Sequence, residues 1–212
     1  SRGRVTERDP LTGRALRMVG TNVDITERKR LEEALQSAAQ TDPLTGLANR
    51  LLLDDRLRLA LARSRRSGAH LAVLYLDIDR FKEANDRFGH SVGDALLREF
   101  AARLRACLRA TDTVARVGGD EFVVVLEDLA EPAYAELVAA KILEAMRAPM
   151  RLEDRELSVT TSIGVAYGNG ASDGAELLKL ADGALYDAKA SGRDRARLAS
   201  PGTRIALARS TD

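Results

Sequence analysis

The sequence predicts an α+β domain built on a ferredoxin-like sheet, preceded by a β-hairpin and a linker helix. Three observations predict this fold. Between residues 41 and 198, apolar runs of strand length alternate with amphipathic stretches of helical period. Two of these runs flank the pair Gly118–Gly119, which favours a tight hairpin in the middle of the domain. The resulting order of elements suits a sheet that is covered by helices on one face and an edge.

The first 40 residues differ from the rest and are expected to form two pieces. Residues 5–8 and 14–25 have the pattern of strands around a turn at 9–13, and residues 1–25 resemble the C-terminal fragment of a PAS sensor domain. A lone hairpin is marginally stable, which favours the end of a larger domain. Residues 26–40 predict an amphipathic linker helix, either a surface linker or a short coiled-coil stalk that transmits the state of the sensor.

The main domain is predicted to span residues 41–198, with elements that follow from apolar periodicity. Helices are predicted at about 48–66, 80–87, 91–109, 131–147 and 173–191, and strands at about 71–77, 112–117, 121–127 and 156–166. Ser91 and Asp94 resemble a capping box at the start of the third helix. Residues 199–212 include the turn-forming run 200–202 and predict a flexible tail.

Composition limits the classes of function. The 212 residues are 45% hydrophobic, which is enough for one good core and a small appendage. The net charge is +1 although 31% of residues are charged, so no basic field favours nucleic acid or an anionic membrane surface. The single cysteine fits a reducing compartment, and no apolar run is long enough to cross a bilayer. We therefore expect a cytoplasmic segment without membrane contact, which upstream regions could anchor to a membrane.

Two segments place carboxylates where strands are predicted to end or begin. An apolar strand ends at Asp77, and the turn Gly118–Gly119 is followed at once by Asp120 and Glu121. If these strands are neighbours, the three carboxylates converge, with Lys82 close by. Glycines let backbone amides approach a phosphate, and Mg2+ takes one or two protein carboxylates together with phosphate and water oxygens. Taken alone, the glycine turn favours an ordinary hairpin, so the nucleotide interpretation depends on its context.

The motifs around these carboxylates make the chain resemble the GGDEF family of diguanylate cyclases. The family signature stands in full from Gly118 to Phe122, and its other motifs occur in order over about residues 41–198. These motifs occupy positions 42–50, 77–82, 85–86, 88–90, 93–94, 162–166 and 181–189. The resemblance implies a nucleotidyl-cyclase palm-type fold, with a central sheet surrounded by helices.

The resemblance also implies the reaction, in which two GTP molecules are joined into cyclic di-GMP and two pyrophosphates are released. It implies a magnesium ion, with manganese as a substitute, that is held by the side chains of Asp77, Asp120 and Glu121 and by the carbonyl of Ile78. Asp120, Glu121 and Lys82 would be the catalytic residues. Because each domain would hold one GTP, catalysis would need a homodimer.

Substrate contacts follow from the same resemblance. Asn85 and Asp94 would read guanine, His90 would also touch the substrate, and Gly118 and Gly119 would face the phosphates. Lys189 and Arg193 are four residues apart, which places them on one face of a helix and within reach of the β- and γ-phosphates. Helix capping by Asp94, a structural role for His90 and an ordinary cationic helix end are the competing interpretations.

Arg109 and Asp112 match the RxxD inhibitory site of these cyclases, where bound cyclic di-GMP would lock two domains in an unproductive arrangement. The competing interpretation is a salt bridge at the end of a helix. Asp194 departs from the family, which usually has Asn there, and sets an acid beside Arg193.

The alternative function is a catalytically silent GGDEF module that binds GTP or cyclic di-GMP as a receptor. A third possibility is a regulatory half attached to a downstream hydrolase.

Overall fold

The computed structural model describes residues 2–21, 23–26, 39–152 and 155–199, and the chain divides into two compact units after Ala39. In the first unit, β1 (Arg2–Arg8) pairs antiparallel with β2 (Ala15–Thr21). The Asp9 carboxylate closes the turn by accepting the amide N–H groups of Leu11 and Thr12, both at 2.8 Å. The hairpin is confirmed, although its second strand ends before residue 25. The linker helix and the tail fall largely outside the described residues, and the PAS resemblance stays a prediction.

The second unit contains a five-stranded sheet whose topology is ferredoxin-like. Its strands are β3 (His70–Ile78), β4 (Thr113–Gly118), β5 (Glu121–Leu129), β8 (Thr161–Gly168) and β9 (Ala196–Leu198). They lie in the order β4-β5-β3-β8-β9, and all neighbours are antiparallel except β8 and β9. A separate short hairpin joins β6 (Met150–Leu152) to β7 (Arg155–Leu157). The predicted fold class is confirmed.

Helices cover both faces of this sheet. They are α1 (Arg50–Ser67), α2 (Phe81–Phe88), α3 (His90–Cys107), α4 (Ala133–Arg147) and α5 (Gly174–Ala190). On one face α3 and α4 pack in a core where the rings of Phe100 and Phe122 are 4.8 Å apart. On the other face α1 and α5 bury Leu53, Leu57 and Leu185. The prediction of helices on one face and an edge was wrong, because β3 is buried on both of its alternating faces.

Two local predictions were also wrong. The strand predicted at 156–166 is interrupted at 158–160, so that β7 belongs to a small hairpin and β8 begins at Thr161. Ser91 and Asp94 do not form a capping box, since α3 begins at His90 and its N-cap is Gly89. In the part of the chain that the structure describes, no helix has both the length and the apolar character needed to cross a membrane.

Candidate nucleotide and metal site

Strand pairing brings the two carboxylate segments together. Asp77, near the end of β3, lies opposite Glu121, the first residue of β5. The next residue, Ile78, donates its amide N–H to the carbonyl of Asp120 at 3.4 Å. The turn between β4 and β5 depends on Gly119, whose φ of 47° lies in the left-handed region. The sheet register therefore places the carboxylates of two remote segments at one edge.

Asp77 is buried at this edge and is paired with a lysine. Its Oδ2 lies 2.6 Å from the Nζ of Lys189, which α5 presents from the covering layer. Burial raises the pKa of Asp77 to about 6; the Lys189 ammonium opposes this shift, and the charges of Asp120 and Glu121 add to it. The carboxylates of Asp77, Asp120 and Glu121 thus carry more negative charge than the Lys189 ammonium neutralises.

Glu121 has a partner that sequence reasoning missed. The phenol of Tyr75 donates a hydrogen bond to Glu121 Oε2 at 3.2 Å. Burial, followed by the charge of Glu121, raises the pKa of Tyr75, so the phenol remains a donor. Tyr75 lies two residues before Asp77 on β3, so both side chains point to the same face. That spacing is the signal from which Tyr75 could have been found.

The donor set fits magnesium. Among the described residues, no three His, Cys, Asp or Glu side chains are gathered closely enough to enclose a metal ion. Mg2+ does not need such a cage, because it takes one or two protein carboxylates and keeps substrate phosphates and waters for the rest of its shell. Asp77 and Glu121, which face each other across two strands, supply hard oxygen ligands of that number. Lys189 provides the compensating positive charge in this structure.

A separate ion pair holds the glycine turn in place. Arg116 on β4 donates from Nε to the carbonyl of Gly119 at 2.9 Å and from Nη1 to both Asp42 carboxylate oxygens at 3.1 and 3.0 Å. Burial opposes ionisation of Asp42, but hydrogen bonds from the Thr45 side chain and amide and from Arg116 outweigh it, so the pKa of Asp42 is lowered. Asp42 stands in a family motif and Arg116 two residues before the signature, yet the contacts that link Asp42, Arg116 and the turn could not be read from spacing.

The carboxylate of Asp79, which directly follows β3, contacts the segment after α5. Its buried carboxylate accepts hydrogen bonds from the hydroxyls of Thr160 and Ser162, both at 2.7 Å, and from the amide N–H of Asp194 at 3.1 Å. These contacts hold the segment after α5 against the end of the sheet. Arg193 lies in this segment with a left-handed φ of 61°.

The prediction that Lys189 and Arg193 share a helical face was wrong, because α5 ends at Ala190. Lys189 contacts Asp77, whereas Arg193 is exposed and lines a cavity of about 570 Å³ together with Asp79 and Arg80. The carboxylate of Asp194 does not take Arg193 as its partner. It pairs with the Nε of Arg147 at 3.0 Å.

The predicted base-reading residues lie where α2 meets α3. Asn85 is on α2, and His90 and Asp94 are exposed on the first turns of α3. Lys82 is exposed on the first turn of α2. Asn85 is half-buried, and its Oδ1 accepts no hydrogen bond from any described residue. Because Gly89 is the N-cap of α3, capping does not occupy the Asp94 carboxylate.

Arg109 and Asp112 do not form the salt bridge that was the competing interpretation. Asp112 accepts the backbone N–H of Arg109 at 2.9 Å, which closes the turn after α3. The guanidinium of Arg109 instead lies 4.4 Å from the centre of the Tyr134 ring. Arg109 and Tyr134 line a cavity of about 310 Å³ that also includes Leu137, an exposed residue of α4.

A family model described as "Diguanylate cyclase, GGDEF domain" matches residues 39–195. The chain belongs to the GGDEF family. The chain is 46% identical over 168 residues to the diguanylate cyclase TpbB of Pseudomonas aeruginosa, covering 78% of this chain and 39% of TpbB. It is 43% identical over 175 residues to the bifunctional diguanylate cyclase/cyclic di-GMP phosphodiesterase MucR of the same organism, covering 82% of this chain and 25% of MucR. The chain thus spans well under half of these relatives.

Solved structures agree with this assignment. The GGDEF domain of TpbB superposes with a TM-score of 0.74 at 45% identity, covering 77% of this chain and 96% of that one. The coiled coil and GGDEF domain of DgcB from Caulobacter crescentus, solved in complex with c-di-GMP, gives a TM-score of 0.72 at 32% identity over 82% and 94% of the two chains. The second unit of this chain is therefore a GGDEF domain by both sequence and fold.

Proposed function

We propose that this GGDEF domain is a diguanylate cyclase, which condenses two GTP molecules into cyclic di-GMP with the release of two pyrophosphates. The observation that carries the proposal is the meeting of Asp77 and Glu121 across β3 and β5, with Lys189 on Asp77. A silent domain has no need for a buried carboxylate at a strand end where neighbouring acids repel its charge. GTP is a cytoplasmic substrate, and we place the reaction in that compartment.

The metal in this proposal is Mg2+, with Mn2+ as a substitute. Asp77 and Glu121 would hold it by their side chains and Ile78 by its carbonyl, with Asp120 beside them in the turn. When bound, it would neutralise phosphate charge and assist the departure of pyrophosphate. Tyr75 orients Glu121 through its hydrogen bond, so one ligand is held in place before substrate arrives. Asp120 is also suited to accept the proton of the attacking 3'-hydroxyl.

Three basic groups of the chain would bind the triphosphate. Lys189 is on a flexible side chain that is one-third exposed, so its ammonium can exchange the Asp77 carboxylate for a phosphate oxygen. Lys82 is exposed on the first turn of α2, and Arg193 is exposed in the cavity that it lines together with Asp79. Gly118 and Gly119 leave the turn open to a phosphate, since no atom lies within 4 Å of a Cβ built at either position.

The base would be read at the junction of α2 and α3. Guanine needs a donor toward O6 and an acceptor for N1–H and the exocyclic amine, which the Asn85 amide and the Asp94 carboxylate supply. His90, exposed beside them, would contact the same nucleotide.

The direct test is to incubate the protein with GTP and Mg2+ and to separate the products by chromatography. We expect cyclic di-GMP from the wild-type chain and a loss of about 10²–10³-fold in Asp120→Ala. Because each domain supplies one half-site, the rate per domain should rise with protein concentration until the homodimer saturates. Binding of GTP or cyclic di-GMP by well-folded, concentrated protein without any product would instead establish the receptor function.

Product inhibition at Arg109 and Asp112 is part of the proposal. Arg109 is exposed and its guanidinium already lies over an aromatic ring, and a guanidinium can also stack against a guanine of cyclic di-GMP. Arg109→Ala should raise the inhibition constant for cyclic di-GMP by about 10-fold or more while leaving the initial rate unchanged. The measurement is the initial rate at increasing cyclic di-GMP, with the exposed Arg98→Ala on α3 as the control. Equal inhibition of all three proteins would place the inhibitory site elsewhere.

A further inference from the structure

Gly93, on the first turn of α3, lies directly against the side chain of Asn85 on α2. A Cβ atom built at Gly93 would be 1.8 Å from Asn85 Oδ1 and 2.9 Å from its Cγ. Both distances are below 3.0 Å, closer than Cβ atoms in proteins approach other atoms, so the Asn85 side chain would have to move. The Asn85 amide therefore occupies the space that any other residue at position 93 would need for its side chain.

This arrangement has two features that lower stability. Glycine inside a helix is less favourable than alanine, and Gly93 is fully within α3. Asn85 Oδ1 is buried without a hydrogen-bond partner among the described residues, which leaves a desolvated acceptor uncompensated. An orphaned buried polar group in a folded protein calls for an explanation other than packing, and a ligand-binding role is one such explanation.

We infer that Gly93 is a positioning residue, which opens the contact between α2 and α3 so that the Asn85 amide is held at the nucleotide base and discriminates guanine from adenine. The inference rests on the proposed function, in which Asn85 reads the base. It gives a physical reason for a small residue at this point of the chain, directly before Asp94. Position 93 must lack a side chain for steric reasons, whether the oxygen or the nitrogen of the Asn85 amide faces it.

The inference predicts a particular pattern of coupling between two substitutions. Gly93→Ala should displace the amide, raise the KM and the Kd for GTP by about tenfold, and reduce the preference for GTP over ATP, with kcat changed by less than about threefold. Asn85→Ala should cause a similar loss. The double variant should bind GTP no more weakly than Asn85→Ala alone, because the second substitution then has nothing left to displace.

Stability without nucleotide provides an independent measurement. Gly93→Ala should lower the urea midpoint of unfolding in the wild-type background and raise it in the Asn85→Ala background, where the clash is gone and only the helix propensity of alanine remains. Gly183→Ala on α5 is the matched control, because no atom lies within 4 Å of a Cβ built there. It should raise the midpoint in either background and leave GTP affinity unchanged.

The outcomes separate the two proposals. If the wild-type protein binds GTP and Gly93→Ala keeps its affinity and base preference, or if the two losses add in the double variant, the positioning role is overturned. If Gly93→Ala does not fold, a folded double variant supports the role and an unfolded one contradicts it. A wild-type protein that binds no GTP overturns the proposed function instead, while the urea midpoints still report whether Asn85 and position 93 conflict.

Discussion

Two regions of this GGDEF domain differ in how their polar groups are paired. They are the strand end, at Asp77 and Glu121, and the helix junction, where α2 meets α3. At the strand end, charged groups already have partners: Asp77 has Lys189 at 2.6 Å, and Glu121 has the phenol of Tyr75 at 3.2 Å. At the junction of α2 and α3, Asn85 Oδ1 is buried without a partner and Asp94 is exposed. Groups that partners already hold in place can receive a cation and triphosphate with little rearrangement, whereas unpaired groups favour a ligand that completes them.

This difference predicts that substitutions at the strand end lower turnover, whereas substitutions at the helix junction lower affinity. The largest effect is expected for Asp77→Asn, which removes a metal ligand and the partner of Lys189. Cyclic di-GMP synthesis should fall by about 10²–10³-fold, since charge stabilisation in the transition state is lost. Initial rates at saturating GTP and Mg2+ measure it, with the exposed Asp54→Asn on α1 as the control.

The same variant distinguishes function from stability at Asp77. Burial disfavours the ionised carboxylate, as its pKa of about 6 indicates, and Lys189 can turn toward water once its partner is neutral. Asp77→Asn should therefore unfold at the wild-type temperature or above it. A marked drop in the midpoint of thermal unfolding would mean that Asp77 is a structural residue, and the contrast with the helix junction would fail.

A smaller effect is expected at the junction. Asn85→Ala should raise KM for GTP by about tenfold and change kcat by less than about threefold, because contacts to the base are made equally in the ground state and the transition state. Steady-state kinetics at several GTP concentrations separate the two constants. His90→Ala, an exposed neighbour, should change KM by less than about threefold. A fall in kcat without a change in KM would contradict the assignment of base recognition to this junction.

The smallest effect concerns the ion pair behind the glycine turn. The pKa of Asp42 is lowered in the folded state, so the unfolded chain takes up its proton first as the pH falls. Asp42 therefore contributes stability above its ordinary pKa of 3.8, and this stability is lost as the pH drops through the lower folded-state value. Urea unfolding at several pH values should show this acid-linked loss in the wild type and less of it in Asp42→Asn. Identical pH profiles would show that Thr45 and Arg116 do not stabilise the ionised carboxylate.

Much of the central sheet could be predicted, because the apolar pattern of its long strands agrees with the way in which these strands pair. The long apolar runs of β3 and β5 identify both strands, and the acids at their facing ends identify the site. The three-residue strands β6 and β9 could not be predicted, since they are too short to show a period, and β7 was joined to β8 as one predicted strand. The continuous apolar character of β3 indicates burial on both faces of the sheet, and the prediction of helices on one face and an edge overlooked this.

Residues whose role depends on register or on unusual backbone conformation were harder to predict. Arg193 was placed on a helix by its spacing from Lys189, but α5 ends at Ala190 and Arg193 has a positive φ. Tyr75 reaches Glu121 only because β3 and β5 pair with Asp77 opposite Glu121. The contact between Gly93 and Asn85 depends on the packing of two helices, which the one-dimensional pattern does not specify.

The most direct test of the central claim locates the metal without relying on turnover. Amide NMR signals of the isotopically labelled protein are recorded with a non-hydrolysable GTP analogue, first with Mg2+ and then with trace Mn2+, whose unpaired electrons broaden signals from nearby nuclei. We expect the signals of Ile78, Asp120 and Glu121 to broaden first, while those of residues outside the site, such as Ala140 on α4, stay sharp. Broadening elsewhere, with the signals at the ends of β3 and β5 unaffected, would contradict the claim.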